Sequence, residues 1–165
     1  MSSEGGLSNR FLHRFLKPKC KKFRGVFAVD RCPKPEKMSR SFSLIVNLSE
    51  SHLPGSHFVA VYVDEDDYLY YFDSFAFPPP IYNQHLMLFL AKWIRENRII
   101  SVMKWRIQSY ESLFCGWFAA SFCLFVEMHT PPEALNSFFK HKNLIQNEVS
   151  VQHLVNALCR KIYAL

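Results

Sequence analysis

Apolar residues near the start of the chain recur at the spacing of an α-helix. The pattern ends before Pro18, and Ser8 or Asn9 is placed to cap the helix. The residues that carry the pattern are Phe11, Leu12, Phe15 and Leu16. We therefore expect a short helix behind a tail that is flexible over residues 1–10.

The middle of the chain is rich in β-branched and aromatic residues, which is typical of strands. A short extended segment is predicted over residues 23–33, and a polar loop follows it. Three β-rich runs then come in close succession: "SFSLIVNL", "HFVAVYV" and "YLYYFDSF". The acidic "DEDD" at residues 64–67 separates the last two, so the runs predict an antiparallel meander with a hairpin turn.

Helical spacing returns after the three prolines at residues 78–80. The pattern predicts a helix over 81–97, a strand over 100–108 and a long apolar helix over 114–129. Two more helices are predicted near residues 131–140 and 149–162. This order of elements predicts an α+β fold, with a central mixed or antiparallel sheet flanked by helices.

The length and composition favour one folded domain. The chain has 165 residues, of which 49% are hydrophobic. This is enough for a single domain over residues 1–165 with a buried core. Its longest apolar run, "LFCGWFAASFCLFV", falls short of the roughly 18–20 residues that a membrane helix needs. The first residues lack the apolar core of a signal peptide. We therefore expect an intracellular monomer without a membrane partner.

Positive charge is concentrated near the N-terminus. Residues 1–40 hold eleven Lys and Arg against three Asp and Glu, whereas residues 41–165 hold nine against eleven. The basic segment, residues 10–24, interleaves seven of these cations with Phe and Leu. This composition fits a surface for a phosphate backbone or an acidic protein, and it equally fits a solvated face that keeps the protein soluble.

The five cysteines are an odd number at irregular spacing, which matches neither a disulfide framework nor a zinc-binding pattern. We expect mostly reduced thiols and no metal site, with Cys123 and Cys159 in the core. Cys115 stands apart because Gly116 follows it in the stretch "QSYESLFCGWF". Hydrophobic packing alone would favour two larger residues at the start of an apolar helix.

A base for the Cys115 thiol is expected at the end of a strand. His57 opens "HFVAVYV", and Asp73 lies at the far end of the next run, "YLYYFDSF". Antiparallel strands joined by a hairpin bring the start of one beside the end of the other, so these two side chains are predicted to be within hydrogen-bond reach. Other histidines lie in the terminal segment or on predicted helices: His13, His129 and His153.

Cys115 falls in the first turn of its predicted helix, where unpaired N–H groups and the helix dipole favour an anion. An imidazolium partner stabilises the thiolate further. Gly116 is expected to leave the backbone uncovered, so that a peptide carbonyl can approach the sulfur. Gln108, seven residues earlier, is placed to direct its amide N–H, together with the N–H of Cys115, at the oxygen that gains charge.

Each of these residues also has a purely structural explanation. Cysteine is among the most buried residue types, a histidine at a strand end usually has no catalytic role, and Asp73 can simply cap a turn. Gln108 alone indicates little. On the residues alone, the catalytic and the structural interpretations both stay open.

The sequence around these positions resembles the adenovirus maturation proteases, the adenain family, and more distantly the SUMO-deconjugating cysteine proteases of the same clan. The resemblance covers residues 23–125, through "FRGVFAVD", "GSHFVAVYV", "YLYYFDSFAF" and "IQSYESLFCGWFAASF". The shared pattern is Gly-x-His-aromatic at the start of a strand, an acid at the end of the next, and Gln seven positions before Cys-Gly.

The resemblance implies a papain-like arrangement with the nucleophile at a helix N-terminus. It places the general base on His57, the orienting acid on Asp73, the oxyanion glutamine on Gln108 and the nucleophile on Cys115. It implies a thiol endopeptidase that cleaves capsid or core precursors beside small residues, often Gly, in a virion or a host nucleus. DNA and an activating peptide are cofactors by this resemblance, although the sequence itself requires none.

The sequence departs from adenain at three places. Asp73 stands where adenain has Glu, and Phe58 stands where Trp usually follows the histidine. Residues 81–107 contain no cysteine, which counts against an activating peptide tethered by a disulfide. DNA binding through the basic segment, residues 10–24, is still compatible with the sequence.

Two other hypotheses compete with a maturation protease. One is an isopeptidase that removes a ubiquitin-like modifier, and the other is an inactive module that binds nucleic acid or a capsid protein. The seven-residue interval between Gln108 and Cys115 favours adenain, because the interval in the SUMO proteases is one residue shorter. The presence of all four site residues argues against the inactive module.

Overall fold

A computed structural model of the chain describes residues 6–34, 38, 40–94 and 99–164. Within these residues the strands are β1 (Phe23–Ala28), β2 (Phe42–Asn47), β3 (Phe58–Val63), β4 (Leu69–Phe72) and β5 (Ile100–Ser101). The α-helices are α1 (Asn9–Leu16), α2 (Gln84–Ala91), α3 (Cys115–Glu127) and α4 (Leu144–Ile162). Short 3₁₀ helices span Val29–Arg31, Pro79–Ile81 and Pro132–Ser137.

The five strands form one mixed sheet in the order β1-β2-β3-β4-β5. The pairs β2–β3 and β3–β4 are antiparallel, whereas β1 and β5 run parallel to their neighbours. The Asp64 carboxylate accepts the N–H groups of Asp66 and Tyr68 in the turn between β3 and β4. The predicted α+β class, the meander and its acidic hairpin turn are confirmed.

Both faces of the sheet are covered. Neighbouring residues on β2 and β3 point to opposite sides, so each strand contributes to two cores. Ile45 and Ala60 belong to a core that the sheet shares with α1, α3 and α4. Leu44 and Val61 belong to a second core with α2. Every residue of β2 and β3 is buried, so these two strands fix the centre of the sheet.

Helix α3 lies in the centre of the larger core, against the sheet on one side and against α1 and α4 on the other. Its residues from Phe118 to Val126 are all buried. A helix that is apolar on every face has to pack against other elements on every face. This burial explains why the sequence of α3 is a nearly continuous apolar run. The helix N-terminus emerges at the surface with Cys115, which is half-buried.

The N-terminal segment is more ordered than predicted. Residues 1–5, which hold half of the predicted tail, lie outside the described residues. Residues 9 and 10 belong to α1, and the Ser8 side chain accepts the N–H of Phe11 at 3.1 Å. Such a cap stabilises a helix by about 1 kcal/mol. On the inner face of α1, Leu12 and Leu16 are fully buried. The prediction of a flexible tail is therefore wrong for residues 9 and 10.

Two predicted elements are shorter in the structure. The strand predicted over 100–108 forms only Ile100–Ser101, because β4 ends at Phe72 and offers few partners. Beyond it the Asn136 side chain bonds the backbone, accepting the N–H of Lys104 and donating to the carbonyl of Val102. A side chain thus takes the place of a neighbouring strand.

The helix predicted over 81–97 is also shorter. Asn83 caps α2, which ends at Ala91, and Trp93 then packs edge-on against Phe42 with ring centroids 4.7 Å apart. Residues 95–98 lie outside the described residues.

The predicted C-terminal helices have different bounds. The segment near 131–140 forms the 3₁₀ helix Pro132–Ser137. The last helix, predicted from 149, begins at Leu144, where the Asn143 side chain accepts the N–H of Gln146 at 3.0 Å. Among the residues described, no helix is both long and apolar enough to cross a membrane.

Candidate active site

His57 and Asp73 meet at one edge of the sheet, as the hairpin rule predicts. His57 precedes β3 and Asp73 follows β4, and these strands pair with Ala60 opposite Phe72. The His57 Nε2 atom lies 2.7 Å from Oδ1 of Asp73. Both side chains are buried, with 8% and 2% of each residue exposed. Burial strengthens such a contact because little water competes for it.

Asp73 accepts four hydrogen bonds in all. Its Oδ1 receives the N–H of Phe75 as well as His57, and its Oδ2 receives the N–H of Phe77 and the hydroxyl of Tyr82. The chain turns tightly around the carboxylate, with Ala76 in the left-handed region at φ 57°. Asp73 therefore does both of the things that the sequence left open: it caps a turn and it holds the histidine.

The orientation of His57 leaves one ring nitrogen for Cys115. Because Nε2 is engaged by Asp73, Nδ1 is the atom that can face the thiol. Burial lowers the pKa of His57, but hydrogen bonds to Asp73 and to Cys115 outweigh it and raise the pKa from 6.5 to about 9. A pKa raised in this way favours the charged form of the imidazole at neutral pH.

Cys115 is the first residue of α3, as predicted. Phe114 at the N-cap supplies no side-chain acceptor, so the first N–H groups of the helix are open to another anion. Gly116 differs from expectation, because it is buried rather than uncovered. A Cβ there would stand 3.1 Å from Cβ of Leu7 and 3.4 Å from Cδ1 of Leu12. Glycine is needed because Leu7, near the start of the chain, packs against this turn.

Gln108 is completely buried and held at both ends of its amide group. Its Oε1 accepts the hydroxyl of Ser74 at 2.6 Å, and its Nε2 donates to the carbonyl of Ser112 at 2.8 Å. Ser112 lies in the turn that leads into α3, where its hydroxyl accepts the N–H of Phe114. The structure therefore ties Gln108 to both the strand end that holds Asp73 and the segment that holds Cys115.

A groove of about 380 Å³ opens beside Cys115. Apolar side chains from four segments line it: Leu7, Leu53, Phe58 and Leu113. Gly55 forms part of its wall and lies so close to Asn47 that a Cβ would stand 2.7 Å from the Asn47 Nδ2 atom. Asn47 also accepts the N–H of Ser56, which fixes the segment just before His57.

Comparison with solved structures places this architecture among known proteases. The chain superposes on the ASFV pS273R protease with a TM-score of 0.58 and 14% identity, over 90% of this chain and 67% of that one. It superposes on the SUMO protease Ulp1, with its catalytic cysteine oxidised to a sulfinic acid, with a TM-score of 0.51 and 13% identity, over 96% and 81%. The chain has the fold of these proteases. No protein-family model matches the chain, and no curated protein matches it.

The predicted α+β fold is confirmed by these two likenesses. At identities this low the likeness speaks for the protease fold, and the roles of His57, Asp73, Gln108 and Cys115 stay predictions. What the structure adds is that it brings these four residues to one edge of the fold.

The other four thiols have settings that differ from that of Cys115. All five cysteines are free. Burial raises the pKa of Cys20 and of Cys32 to about 12, and it also raises the pKa of Cys123 and of Cys159. Cys123 lies in the core as predicted, whereas Cys159 is only half-buried.

Sequence reasoning missed three residues that complete the site. Ser74 follows Asp73 directly and binds Gln108, and its position next to the acid was the only signal available. Tyr82 reaches Asp73 from beyond the three prolines. Phe75 stacks on the His57 ring with centroids 4.4 Å apart and planes 19° apart. The last two depend on a turn whose path no local pattern predicts.

Proposed function

We propose that the protein is a cysteine endopeptidase that uses Cys115 as its nucleophile. The observation that carries the proposal is the His57 ring, which is hydrogen-bonded to buried Asp73 and whose pKa is raised by Asp73 and by Cys115, the first residue of α3. A thiolate–imidazolium pair beside open helix N–H groups is the activated form of a cysteine nucleophile.

The reaction follows from these positions. The Cys115 thiolate attacks the carbonyl carbon of the scissile bond, and the oxygen that gains charge is stabilised by the N–H of Cys115 and the amide of Gln108. The protonated His57 then donates its proton to the leaving amine as the C–N bond breaks, which leaves a thioester on Cys115. A water molecule, deprotonated by His57, hydrolyses the thioester and restores the thiolate. Asp73 holds the imidazole in the required orientation throughout.

The groove favours an extended substrate with small residues near the scissile bond. Leu7, Phe58 and Leu113 line the groove beside Cys115, and Gly55 offers backbone rather than a side chain there. We therefore infer a preference for Gly next to the cleaved bond. The resemblance of the sequence to the adenain family favours a viral or virus-like maturation enzyme whose substrates are capsid or core precursors in a virion or host nucleus. The likeness to the ASFV pS273R protease supports the protease part of this proposal.

An isopeptidase is the second candidate, supported by the likeness to the SUMO protease Ulp1. Both candidates use the same chemistry and differ in what the surface around the groove recognises. An endopeptidase reads a short extended segment, whereas an isopeptidase also needs the folded modifier.

The purified protein should be offered three substrates in parallel. These are a fluorogenic peptide ending in Gly-Gly, a matched peptide ending in Val-Val, and an intact conjugate of a ubiquitin-like modifier. We expect cleavage of the Gly-Gly peptide alone, because glycine brings no side chain against the residues that line the groove, whereas valine is β-branched and stiff. Cleavage of only the intact conjugate would point to the isopeptidase, and cleavage of none would overturn the proposed peptidase.

We also propose that DNA binds the basic segment, residues 10–24. Its exposed cations on or beside α1 include Arg10, Arg14 and Lys21. Others serve the protein itself, since Lys17 and Lys19 donate to the carbonyls of Phe23 and Phe15. Phe11 and Phe15 stack on each other at 5.9 Å between these cations, so the surface is both positive and aromatic.

Binding of this kind has a characteristic salt dependence. If three exposed cations each neutralise a phosphate, the logarithm of the association constant should fall with the logarithm of salt concentration with a slope of about −3 on duplex DNA. Replacing Arg10, Arg14 and Lys21 with alanine should abolish binding in a fluorescence anisotropy titration. Replacing exposed Arg160 and Lys161 at the end of α4 is the matched control and should leave it intact. A slope near zero would remove DNA from the partners of this protein.

A further inference from the structure

Ser74 connects the strand end that carries Asp73 to the segment that carries Gln108. It is fully buried and is the residue directly after Asp73. Its hydroxyl donates to Oε1 of Gln108 at 2.6 Å, and its backbone carbonyl accepts the N–H of Ile107 at 2.9 Å. Two hydrogen bonds therefore join Ser74 to residues 107 and 108, one through the side chain and one through the backbone.

The partners of Gln108 determine which way its amide group points. The carbonyl oxygen of Ser112 can only accept a hydrogen bond, so Nε2 of Gln108 must face it and Oε1 must face Ser74. The Ser74 hydroxyl then has to donate. An amide held at both ends cannot rotate, and of the two hydrogens on Nε2 the carbonyl of Ser112 takes one.

We propose that Ser74 is a positioning residue that orients Gln108 as the oxyanion donor. The inference rests on the proposed function, because it assigns Ser74 a part in the same reaction. Ser74 does not touch the substrate. By holding Oε1 it fixes the plane of the amide, so that the second hydrogen of Nε2 keeps a constant direction toward the oxygen that gains charge. One strand end then orients both the base, through Asp73, and the oxyanion donor, through Ser74.

A purely structural role for Ser74 makes a different prediction. A buried serine that only satisfies a buried amide would affect stability, and its loss would leave the rate per folded molecule unchanged. An orienting role affects the transition state, where the oxygen carries charge, more than the bound substrate. The kinetic constants of folded protein therefore separate the two roles.

The test is a double-mutant cycle on Ser74→Ala and Gln108→Ala with the Gly-Gly peptide as substrate. Gln108→Ala should lower kcat about 10²- to 10³-fold, the usual loss for one oxyanion donor. Ser74→Ala should lower kcat by a substantial part of that factor with KM nearly unchanged. In the Gln108→Ala background, Ser74→Ala should change kcat no further, since the group it orients is gone.

A second pair of variants separates the hydroxyl from packing. Thr and Val have nearly the same shape, so Ser74→Thr keeps the donor and Ser74→Val removes it at equal volume. We expect Ser74→Thr to retain more of the wild-type kcat than Ser74→Val. Ser121→Ala is the control, because Ser121 is equally buried and hydrogen-bonded but its partner is the carbonyl of Phe118 within α3.

The outcomes distinguish this inference from the proposed function. If the wild-type protein cleaves the peptide but Ser74→Ala leaves kcat unchanged, the inference is wrong and the peptidase stands. If Ser74→Ala lowers kcat by the same factor with and without Gln108, Ser74 does not act through Gln108 and the inference is also overturned. If the wild-type protein cleaves nothing, both fail together.

Discussion

Replacing Cys115 with alanine is expected to abolish peptide cleavage while the protein stays folded. The side chain is half-buried at the surface end of α3, so its loss removes little core packing. Removal of a nucleophile that acts in a catalytic unit typically costs on the order of 10⁶-fold in kcat, which brings the rate to the detection limit. Cleavage of the Gly-Gly peptide and the thermal unfolding midpoint should be measured on the same preparation.

Thiol labelling provides an independent measurement of the same prediction. At neutral pH iodoacetamide should modify Cys115 first, because burial raises the pKa of the other four thiols. Cys159→Ala is the matched control, since it removes another half-buried helical thiol. That variant should keep both cleavage and rapid labelling. Undiminished turnover in Cys115→Ala would contradict the mechanism outright.

Replacing Asp73 with asparagine should reduce the rate by about 10²- to 10⁴-fold, the range that a positioned base contributes. Asparagine must put an NH₂ group where one carboxylate oxygen now accepts two donors. If its oxygen stays toward His57, the NH₂ group faces the N–H of Phe77 and the hydroxyl of Tyr82. The hydroxyl can turn to accept, but the N–H of Phe77 loses its acceptor. The change therefore removes the charge beside His57 and also loosens the turn.

The pH profile separates these two effects. The pKa of His57 is raised to about 9, so the imidazolium persists at neutral pH and the wild-type rate should fall as the pH rises through about 9. Without the charge of Asp73 this limb should move to lower pH. The raised pKa of His57 also stabilises the folded state. This contribution is complete below pH 6.5 and is lost as the pH rises through about 9, where His57 loses its proton.

Asp64→Asn is the matched control for Asp73→Asn. Asp64 caps its own turn in the same way, with its carboxylate accepting the N–H groups two and four residues ahead. It has no histidine partner in the described structure, so its replacement should lower the unfolding midpoint and leave the pH limb in place. An unshifted limb in Asp73→Asn would show that Asp73 only caps a turn.

The parts of the fold that depend on nearest neighbours were predictable from the sequence. The acidic turn and the alternating runs predicted the β2–β3–β4 meander, and strand pairing then predicted the contact of His57 with Asp73 found at 2.7 Å. The start of α3 at Cys115 followed from the long apolar run. Predicting these features requires only the spacing of apolar residues along the chain and one hairpin turn.

Features that depend on distant partners were not predictable. The strand after α2 is shorter than predicted, because the side chain of Asn136, from a later segment, bonds the backbone of Val102 and Lys104. Gly116 is covered because Leu7 from the start of the chain packs on it, which no pattern around Cys115 indicates. Ser74 and Tyr82 join the site through a turn whose path is set by the carboxylate that it surrounds. In each case tertiary contacts decided what local propensity left open.

The hairpin between β3 and β4 also bears on the order in which the site assembles. His57 and Asp73 are 16 residues apart and meet through a local turn, a contact of low sequence separation that can form early in folding. Cys115 reaches them only when α3 is enclosed between the sheet and the flanking helices α1 and α4. We therefore expect the contact between His57 and Asp73 to form before the thiol is in place. If Cys115 is the nucleophile proposed above, cleavage therefore requires that α3 be packed against the sheet.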